Sequence, residues 1–104
     1  MSYRFRLVEG NDDPRLHDVQ VLLDMRRKEL ELVHKEKFPK EKAWIQRNFF
    51  YVLAYSSDGP VGFLHVQEAT ISKEKVLKMH EFFTIPTMRV KGVAKHLMIY
   101  LGRV

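Results

Sequence analysis

The hydrophobic pattern near the start of the chain changes from alternation to helical spacing. Apolar and polar residues alternate over residues 3–9, which predicts a half-buried strand. Asp13 followed by Pro14 is typical of a helix start, because the carboxylate can cap the first turn and proline fits the first helical position. The apolar residues that follow are spaced by three, four and seven, which predicts an amphipathic helix ending near Lys35. They are Leu16, Val19, Leu23, Leu30 and Val33.

A second helix and three strands are predicted in the middle of the chain. The helix is predicted to begin at Pro39. Its packed side chains would be Ala43, Trp44 and Phe50. The strands cover residues 49–55, 60–70 and 76–85. Asp58-Gly59 suits a tight hairpin with positive φ at the glycine, and residues 71–75 form a charged connector.

A last helix is predicted over residues 92–101. Val93, Leu97 and Leu101 are spaced by four, so they share its inner face. The element order is therefore β-α-α-β-β-β-α. It predicts an α/β protein of the α+β type, with a mainly antiparallel sheet of about four strands and helices packed on it. Neither a repeat nor a linker interrupts the pattern, so residues 1–104 are expected to form a single domain.

The composition narrows the class of protein. With 104 residues, 45% of them hydrophobic, the chain is long enough for one globular core. It contains no cysteine, which excludes disulfides, thiolate nucleophiles and cysteine-based zinc sites. No apolar run approaches the ~18 residues that a membrane-spanning helix needs, and the first residues carry no apolar signal segment. We therefore predict a cytoplasmic protein without a membrane partner.

The junction between the third predicted strand of this run and the last helix carries the clearest candidate chemistry. A helix N-terminus has backbone N–H groups without partners inside the helix, together with the positive end of the helix dipole. Gly92 has no Cβ to keep a phosphate away from those groups. Arg89, Lys91 and Lys95 add positive charge around them. This pattern favours binding of an anion, with a diphosphate as the best fit.

The spacing in this junction resembles a known signature. Arg89-x-x-Gly92-x-Ala94 lies three residues after Pro86 and three before Leu97. It resembles the acetyl-CoA motif Q/R-x-x-G-x-G/A of the GNAT acetyltransferases, which follows a strand and opens a helix. The order of predicted elements also resembles the first part of the GNAT fold, so the resemblance extends over essentially the whole chain.

The resemblance implies a binding mode for acetyl-CoA as co-substrate and an amine as acceptor. Backbone groups of the strand before the turn would pair with the pantetheine arm. By position, these belong to Phe82, Phe83 and Thr84. The diphosphate would accept hydrogen bonds from backbone N–H groups in the run Val90, Lys91, Gly92, Val93, Ala94 and Lys95, and Arg89 would mainly shape the loop.

Two neighbouring residues are candidates for the catalytic base. In many members of the resembled family, a carboxylate late in this strand accepts a proton from the amine. Here the candidates are Glu81 and His80, which are expected to point to opposite faces of the strand. The other histidines have no metal-ligand spacing, so no metal site is expected.

The charge distribution leaves a second kind of ligand open. Of the net charge of +5, residues 1–36 contribute −1 and residues 37–104 contribute +6. Both CoA and a nucleic-acid backbone are polyanions that fit this distribution. The basic residues are scattered and form no known recognition pattern, so a nucleic-acid-binding module ranks last among the functions considered.

The chain is shorter than the family it resembles, which normally continues with another strand, another helix and a final strand pair. Three explanations are open: a naturally shortened member, a fragment of a longer product, or a chain that completes itself with a partner. Without those elements, the strand at residues 76–85 is expected to have an open edge and to pair with a second copy of the chain as a homodimer. The shortness also favours an alternative function, a catalytically inactive GNAT-like protein that acts through protein contacts.

Overall fold

The structure, a computed structural model, describes residues 3–103, except for the side chain of Val90. Four strands and two α-helices form an α+β fold, which confirms the predicted class. The strands are β1 (Arg4–Val8), β2 (Phe49–Ser56), β3 (Gly59–Ile71) and β4 (Glu74–Thr84); the helices are α1 (Leu16–His34) and α2 (Val93–Leu101). A 3₁₀ helix, Pro86–Lys91, connects β4 to α2.

The strands form one antiparallel sheet in the order β1-β2-β3-β4. At the β2–β3 hairpin Gly59 has φ 127°, the positive value that the sequence predicts. The β3–β4 connector is tighter than expected, because Ile71 already pairs with Glu74. Only Ser72 and Lys73 lie between them, with φ of 52° and 68°, as in a two-residue type I′ turn.

The two helices cover opposite faces of this sheet. Successive β2 residues point to alternate faces, so Leu53 packs in the α1 core and Val52 in the α2 core. The α1 core contains Val19, Leu22, Leu23, Tyr51, Leu53, Phe63 and Phe83 among its buried residues. The α2 core contains Phe50, Val52, Leu64, Val66, Val93 and Leu97. The last two residues confirm the predicted inner face of the final helix.

Helix α1 matches most of the predicted helix but begins slightly later than Asp13 and Pro14 indicate. Asp13 accepts a hydrogen bond from the backbone N–H of Arg15 (2.9 Å), and the regular helix starts at the next residue. At the other end Lys35 adopts a left-handed conformation, and its N–H donates to the carbonyl of Glu31 (2.8 Å). The helix therefore ends where the hydrophobic pattern predicts.

The prediction of a helix that begins at Pro39 is wrong, because the segment between α1 and β2 contains no helix. Ala43 and Ile45 are buried while Trp44 is 54% exposed, which is the alternation of an extended chain. Side chains from earlier in the chain hold its backbone. Asn11 makes two hydrogen bonds to the backbone of Ile45 (2.9 and 2.7 Å), and Gln20 accepts one from Ala43 (2.7 Å).

A β-bulge in the β3–β4 pair changes which side chains share a face. Opposite His65 lies Glu81, but opposite the next residue, Val66, lies Met79. His80 is therefore an extra residue on β4 without a partner on β3. Bulges of this kind redirect a side chain and are frequent beside active sites.

Candidate functional site

The predicted junction lies directly at the end of β4. The strand ends at Thr84, the 3₁₀ helix follows, and Gly92 leads into α2 with φ 75° and ψ 20°. This left-handed conformation favours glycine. A Cβ added at Gly92 would lie 3.6 Å from His96 Nδ1, an ordinary contact, so the backbone conformation rather than crowding explains the glycine.

The first turn of α2 presents backbone donors. The N–H of His96 donates to the carbonyl of Gly92 (3.0 Å) and begins the α-helical pattern. The N–H groups of Val93, Ala94 and Lys95 precede that bond, where a helix has no carbonyl of its own to offer. No described side chain caps this end of the helix. The geometry therefore suits an anion at this end.

The outer edge of β4 is open, since no strand within residues 3–103 pairs with it. Ile85 N–H donates to the carbonyl of Val61 on the β3 side (2.9 Å). Because backbone groups alternate along a strand, Phe83 also faces β3, whereas the N–H and carbonyl groups of Phe82 and Thr84 face outward. Two of the three residues predicted to meet pantetheine thus present their backbone to the open edge.

Arg89 ties the junction to its surroundings. Its Nε donates to the carbonyl of Thr84 (3.1 Å), and its Nη2 donates to Glu29 Oε1 on α1 (2.7 Å). The guanidinium also lies over the ring of Phe83, 5.6 Å from its centroid. These contacts join the loop that carries Arg89 to β4 and α1. Lys91 and Lys95 are exposed on the same stretch.

Glu81 lies in an ionic cluster on the α1 face of the sheet. Arg26 of α1 donates from Nη1 to Glu81 Oε2 (2.5 Å) and from Nη2 to both carboxylate oxygens of Glu41 (2.9 Å each). His65 Nδ1 lies 3.5 Å from Glu81 Oε1. The carboxylate therefore contacts groups from α1 and β3 at once.

The expectation that His80 and Glu81 point to opposite faces is wrong. The ring of His80 lies 6.1 Å from that of His65 and 5.1 Å from that of Phe49, and His65 itself contacts Glu81. His80 Nε2 is 2.7 Å from Gln67 Oε1. The bulge at His80 breaks the alternation on which the expectation was based.

His65, which no sequence pattern singles out, lies at the centre of this cluster. Its ring stacks on Tyr51 at a centroid distance of 4.5 Å. Burial lowers the pKa of His65, and the nearby Glu81 carboxylate partly opposes that shift. Burial also raises the pKa of Tyr51 to about 12, so its hydroxyl stays protonated near neutral pH. His65 lies opposite Glu81 only because of the pairing register of β3 and β4. The β-bulge shifts that register, and the sequence pattern does not predict the bulge.

Residues 3–103 contain neither a metal-binding cluster nor a membrane-spanning helix. That part of the chain contains no group of three or more histidine, aspartate or glutamate side chains placed to hold a metal ion. Neither α-helix in the same range has the length and apolarity needed to cross a bilayer.

Several solved structures with a similar fold are described as acetyltransferases. One is an aminoglycoside acetyltransferase from an uncultured soil metagenomic sample, with a TM-score of 0.72 and 15% identity, covering 99% of this chain and 71% of that chain. A ribosomal-protein-alanine N-acetyltransferase from Brucella melitensis biovar Abortus 2308 has a TM-score of 0.70 and 16% identity with the same coverage. AAC(6')-Iy, solved with the bisubstrate analog CoA-S-monomethyl-acetylneamine, has a TM-score of 0.65 and 16% identity, again covering 99% and 71%. At these identities the likeness shows the fold.

The sequence itself was compared with curated proteins and with family models. The search of curated proteins found no match. A family model described as "Acetyltransferase (GNAT) family" matches residues 19–102, which is most of the chain and includes the whole junction between β4 and α2. The chain therefore belongs to the GNAT family of acetyltransferases, as the motif around Gly92 predicts.

Proposed function

We propose that this protein binds acetyl-CoA at the open end of β4 and transfers the acetyl group to an amine. Family membership implies acetyl-CoA as co-substrate. The observation that carries the proposal is the continuity of two surfaces. Within the described residues 3–103, a strand edge without a pairing strand ends at Thr84, and a helix N-terminus without a side-chain cap follows after Gly92.

The strand edge suits the pantetheine arm. Pantetheine contains two amide groups, which can pair with a strand edge as another strand would. The outward backbone groups of Phe82 and Thr84 supply this pairing. Arg89 Nε donates to the carbonyl of Thr84, so the arm must share that oxygen or displace the guanidinium.

The helix end suits the diphosphate. The N–H groups of Val93, Ala94 and Lys95 point out of the first turn, where the helix dipole favours negative charge. Lys91 and Lys95 add two exposed cations. A Cβ added at Gly92 would lie 3.6 Å from Nδ1 of His96, so a longer side chain there would enter the surroundings of this first turn.

Acetyl transfer also needs a proton acceptor for the amine and a proton for the departing thiolate. The amine forms a C–N bond to the thioester carbonyl, the C–S bond breaks, and CoA leaves as the thiol. The sequence-based candidates for the proton acceptor are Glu81 and His80, and the bulge brings both into one cluster with His65. The acceptor is proposed only as a class, a small-molecule or protein amine.

Calorimetric titration with acetyl-CoA tests the binding step, with Gly92→Glu as the variant. The glutamate places a carboxylate among the phosphate donors, and we expect at least about a tenfold loss of affinity, roughly 1.4 kcal/mol. Gly59→Glu is the matched control for backbone strain, because Gly59 also has positive φ but is not among the residues assigned to the phosphates.

The control separates loss of the site from backbone strain. Equal losses in both variants, or no binding by the wild type, would contradict the proposed site. A thiol-release assay with a panel of amines then tests the transfer step. Binding without thiol release would favour the alternative, a catalytically inactive GNAT-like protein that acts through protein contacts.

We also propose that a second copy of the chain pairs with β4, the strand predicted from the sequence at residues 76–85. The observation behind this proposal is the edge of β4, which pairs with no other strand within residues 3–103. Since Phe82 and Thr84 are assigned to the pantetheine arm, the second copy would pair with the earlier part of this edge, where Met79 is 41% exposed. Size-exclusion chromatography with light scattering should show a dimer whose population rises with concentration. A monomer over the whole accessible concentration range refutes it.

The proposed location is the cytoplasm. The support is compositional: a chain without cysteine cannot form the disulfides that an oxidising compartment favours. Fractionation of cells that express the untagged protein would test this location.

A further inference from the structure

Glu81 is already occupied by a cation in the structure. Arg26 donates to its Oε2 at 2.5 Å and simultaneously pairs with Glu41. The Arg26 side chain is only 15% exposed, so it is held in place rather than free to leave. The other carboxylate oxygen of Glu81, Oε1, faces His65, so an incoming amine would have to displace one of these two neighbours to reach the carboxylate.

His65 is the neighbouring group that is free to accept a proton. Its Nδ1 faces Glu81 Oε1 at 3.5 Å. Among the described residues, no protein atom forms a hydrogen bond with its other ring nitrogen, Nε2. The side chain is 18% exposed, so part of the ring can be reached from solvent.

Aromatic packing fixes the orientation of the His65 ring. The ring is nearly parallel to that of Tyr51, with an interplanar angle of 14° and a centroid distance of 4.5 Å. Phe49 packs against it at 5.0 Å. With Glu81 next to Nδ1, these contacts favour the tautomer that carries its proton on Nδ1 and its lone pair on Nε2.

We propose that His65 is the catalytic residue that accepts the proton from the acceptor amine, and that Glu81 is the positioning residue that holds the ring. This assignment rests on the proposed acetyl transfer. His65 Nε2 takes one proton from the incoming ammonium group, and the neutral amine forms the C–N bond. As the C–S bond breaks, the nitrogen loses a second proton, which passes to the thiolate. The imidazolium of His65 then releases the first proton to water.

The surroundings of His65 also suit this role near neutral pH. Burial lowers its pKa from the ordinary 6.5, as do the nearby His80 and Arg26, while Glu81 raises it. The titratable or charged groups around the ring are Glu81 and His80 on β4, Tyr51 on β2, Arg26 on α1 and, through Arg26, Glu41. The ring is therefore neutral at pH 7 and becomes a cation only in acid.

Kinetics of thiol release over a range of pH test the assignment. For the wild type we expect the rate to fall as the pH drops through the pKa of His65, below 6.5. His65→Gln should lower kcat by about 100-fold or more and should remove this acid limb. The affinity for acetyl-CoA should stay unchanged, because His65 lies on the α1 face rather than at the α2 junction.

Two further variants complete the series. Glu81→Gln should move the acid limb to lower pH, since the carboxylate raises the pKa of His65. His17→Gln is the control, because that histidine is 82% exposed on α1 and should behave as wild type. If His65→Gln keeps the acid limb, or stays within about threefold of wild type, the assignment is overturned while the proposed acetyl transfer stands.

An NMR titration makes the pairing testable without turnover. The His65 ring proton, identified by its loss in His65→Gln, should titrate below 6.5 and lower still in Glu81→Gln. An unchanged pKa between wild type and Glu81→Gln overturns the pairing. A wild type that binds acetyl-CoA but acetylates no amine overturns both the base assignment and the transfer step, leaving only the binding site.

Discussion

The two sides of the end of β4 are built in different ways. On the α2 side, the candidate phosphate site comes from one continuous stretch, in which the strand, the 3₁₀ helix and Gly92 follow each other directly. On the α1 side, the candidate catalytic cluster combines residues from three strands, α1 and the extended segment before β2. The difference teaches that a local backbone shape can be recognised from spacing, whereas a cluster assembled from distant residues depends on register and packing.

Truncation of the α1 core should have the largest effect on stability. Phe63 is fully buried, packs against Tyr51 and Phe83, and lies beneath the guanidinium of Arg26. Phe63→Ala should lower the free energy of unfolding by about 3–5 kcal/mol through lost burial and the cavity left behind. Leu97→Ala, the matched change in the α2 core, should cost about 2–5 kcal/mol.

Denaturant unfolding measures both core variants. Beyond stability, Phe63→Ala should change the NMR titration of His65 more than Leu97→Ala does, since only Phe63 lies on the face of the cluster. Equal changes in the two variants would contradict the separation of the two sides.

Two arginines that join α1 to β4 offer a sharper comparison. Arg26 contacts Glu81 on the catalytic side, and Arg89 contacts Thr84 on the phosphate side. Each substitution by glutamine removes a charge-assisted hydrogen bond and should lower stability by about 1–3 kcal/mol. Arg89→Gln should also weaken acetyl-CoA binding severalfold, whereas Arg26→Gln should change the pH dependence and leave binding unaltered.

Calorimetric titration with acetyl-CoA tests the expected difference in binding between the two arginine variants. The pH profile of thiol release tests the expected difference in pH dependence. If Arg26→Gln weakens acetyl-CoA binding as much as Arg89→Gln does, the two sides do not act separately.

The smallest expected effect lies far from both sites, in the β3–β4 turn. Ser72 and Lys73 have positive φ, which costs energy for residues with a Cβ. The double change Ser72→Asn with Lys73→Gly should raise the free energy of unfolding by about 0.5–1 kcal/mol. Thermal unfolding should show a higher Tm, and acetyl-CoA binding should not change. A lower Tm would mean that the turn is held by contacts other than its own backbone.

The sequence predicts the four strands and both α-helices because their patterns are local. It fails at the segment after Pro39, where charged residues and a proline resemble a helix start. There Asn11 and Gln20, distant in sequence, bind the backbone of an extended chain. No residue within the segment indicates that these side chains will form hydrogen bonds with it.

The candidate site likewise has one part that the sequence predicts and one part that it does not. The junction at Gly92 was predictable, since positive φ and the helix start are both encoded nearby. The contact between His65 and Glu81 was not, because it depends on a two-residue turn and on a bulge that adds His80 to one strand. A shift of one residue in a strand pair moves a side chain to the other face.

The most direct test of the central claim follows the backbone amides of the protein by NMR as acetyl-CoA is added. The account predicts the largest chemical-shift changes at Val93, Ala94 and Lys95, with changes also at Phe82 and Thr84 along the open edge of β4. Binding that leaves these amides unmoved, and shifts another part of the molecule instead, would contradict it.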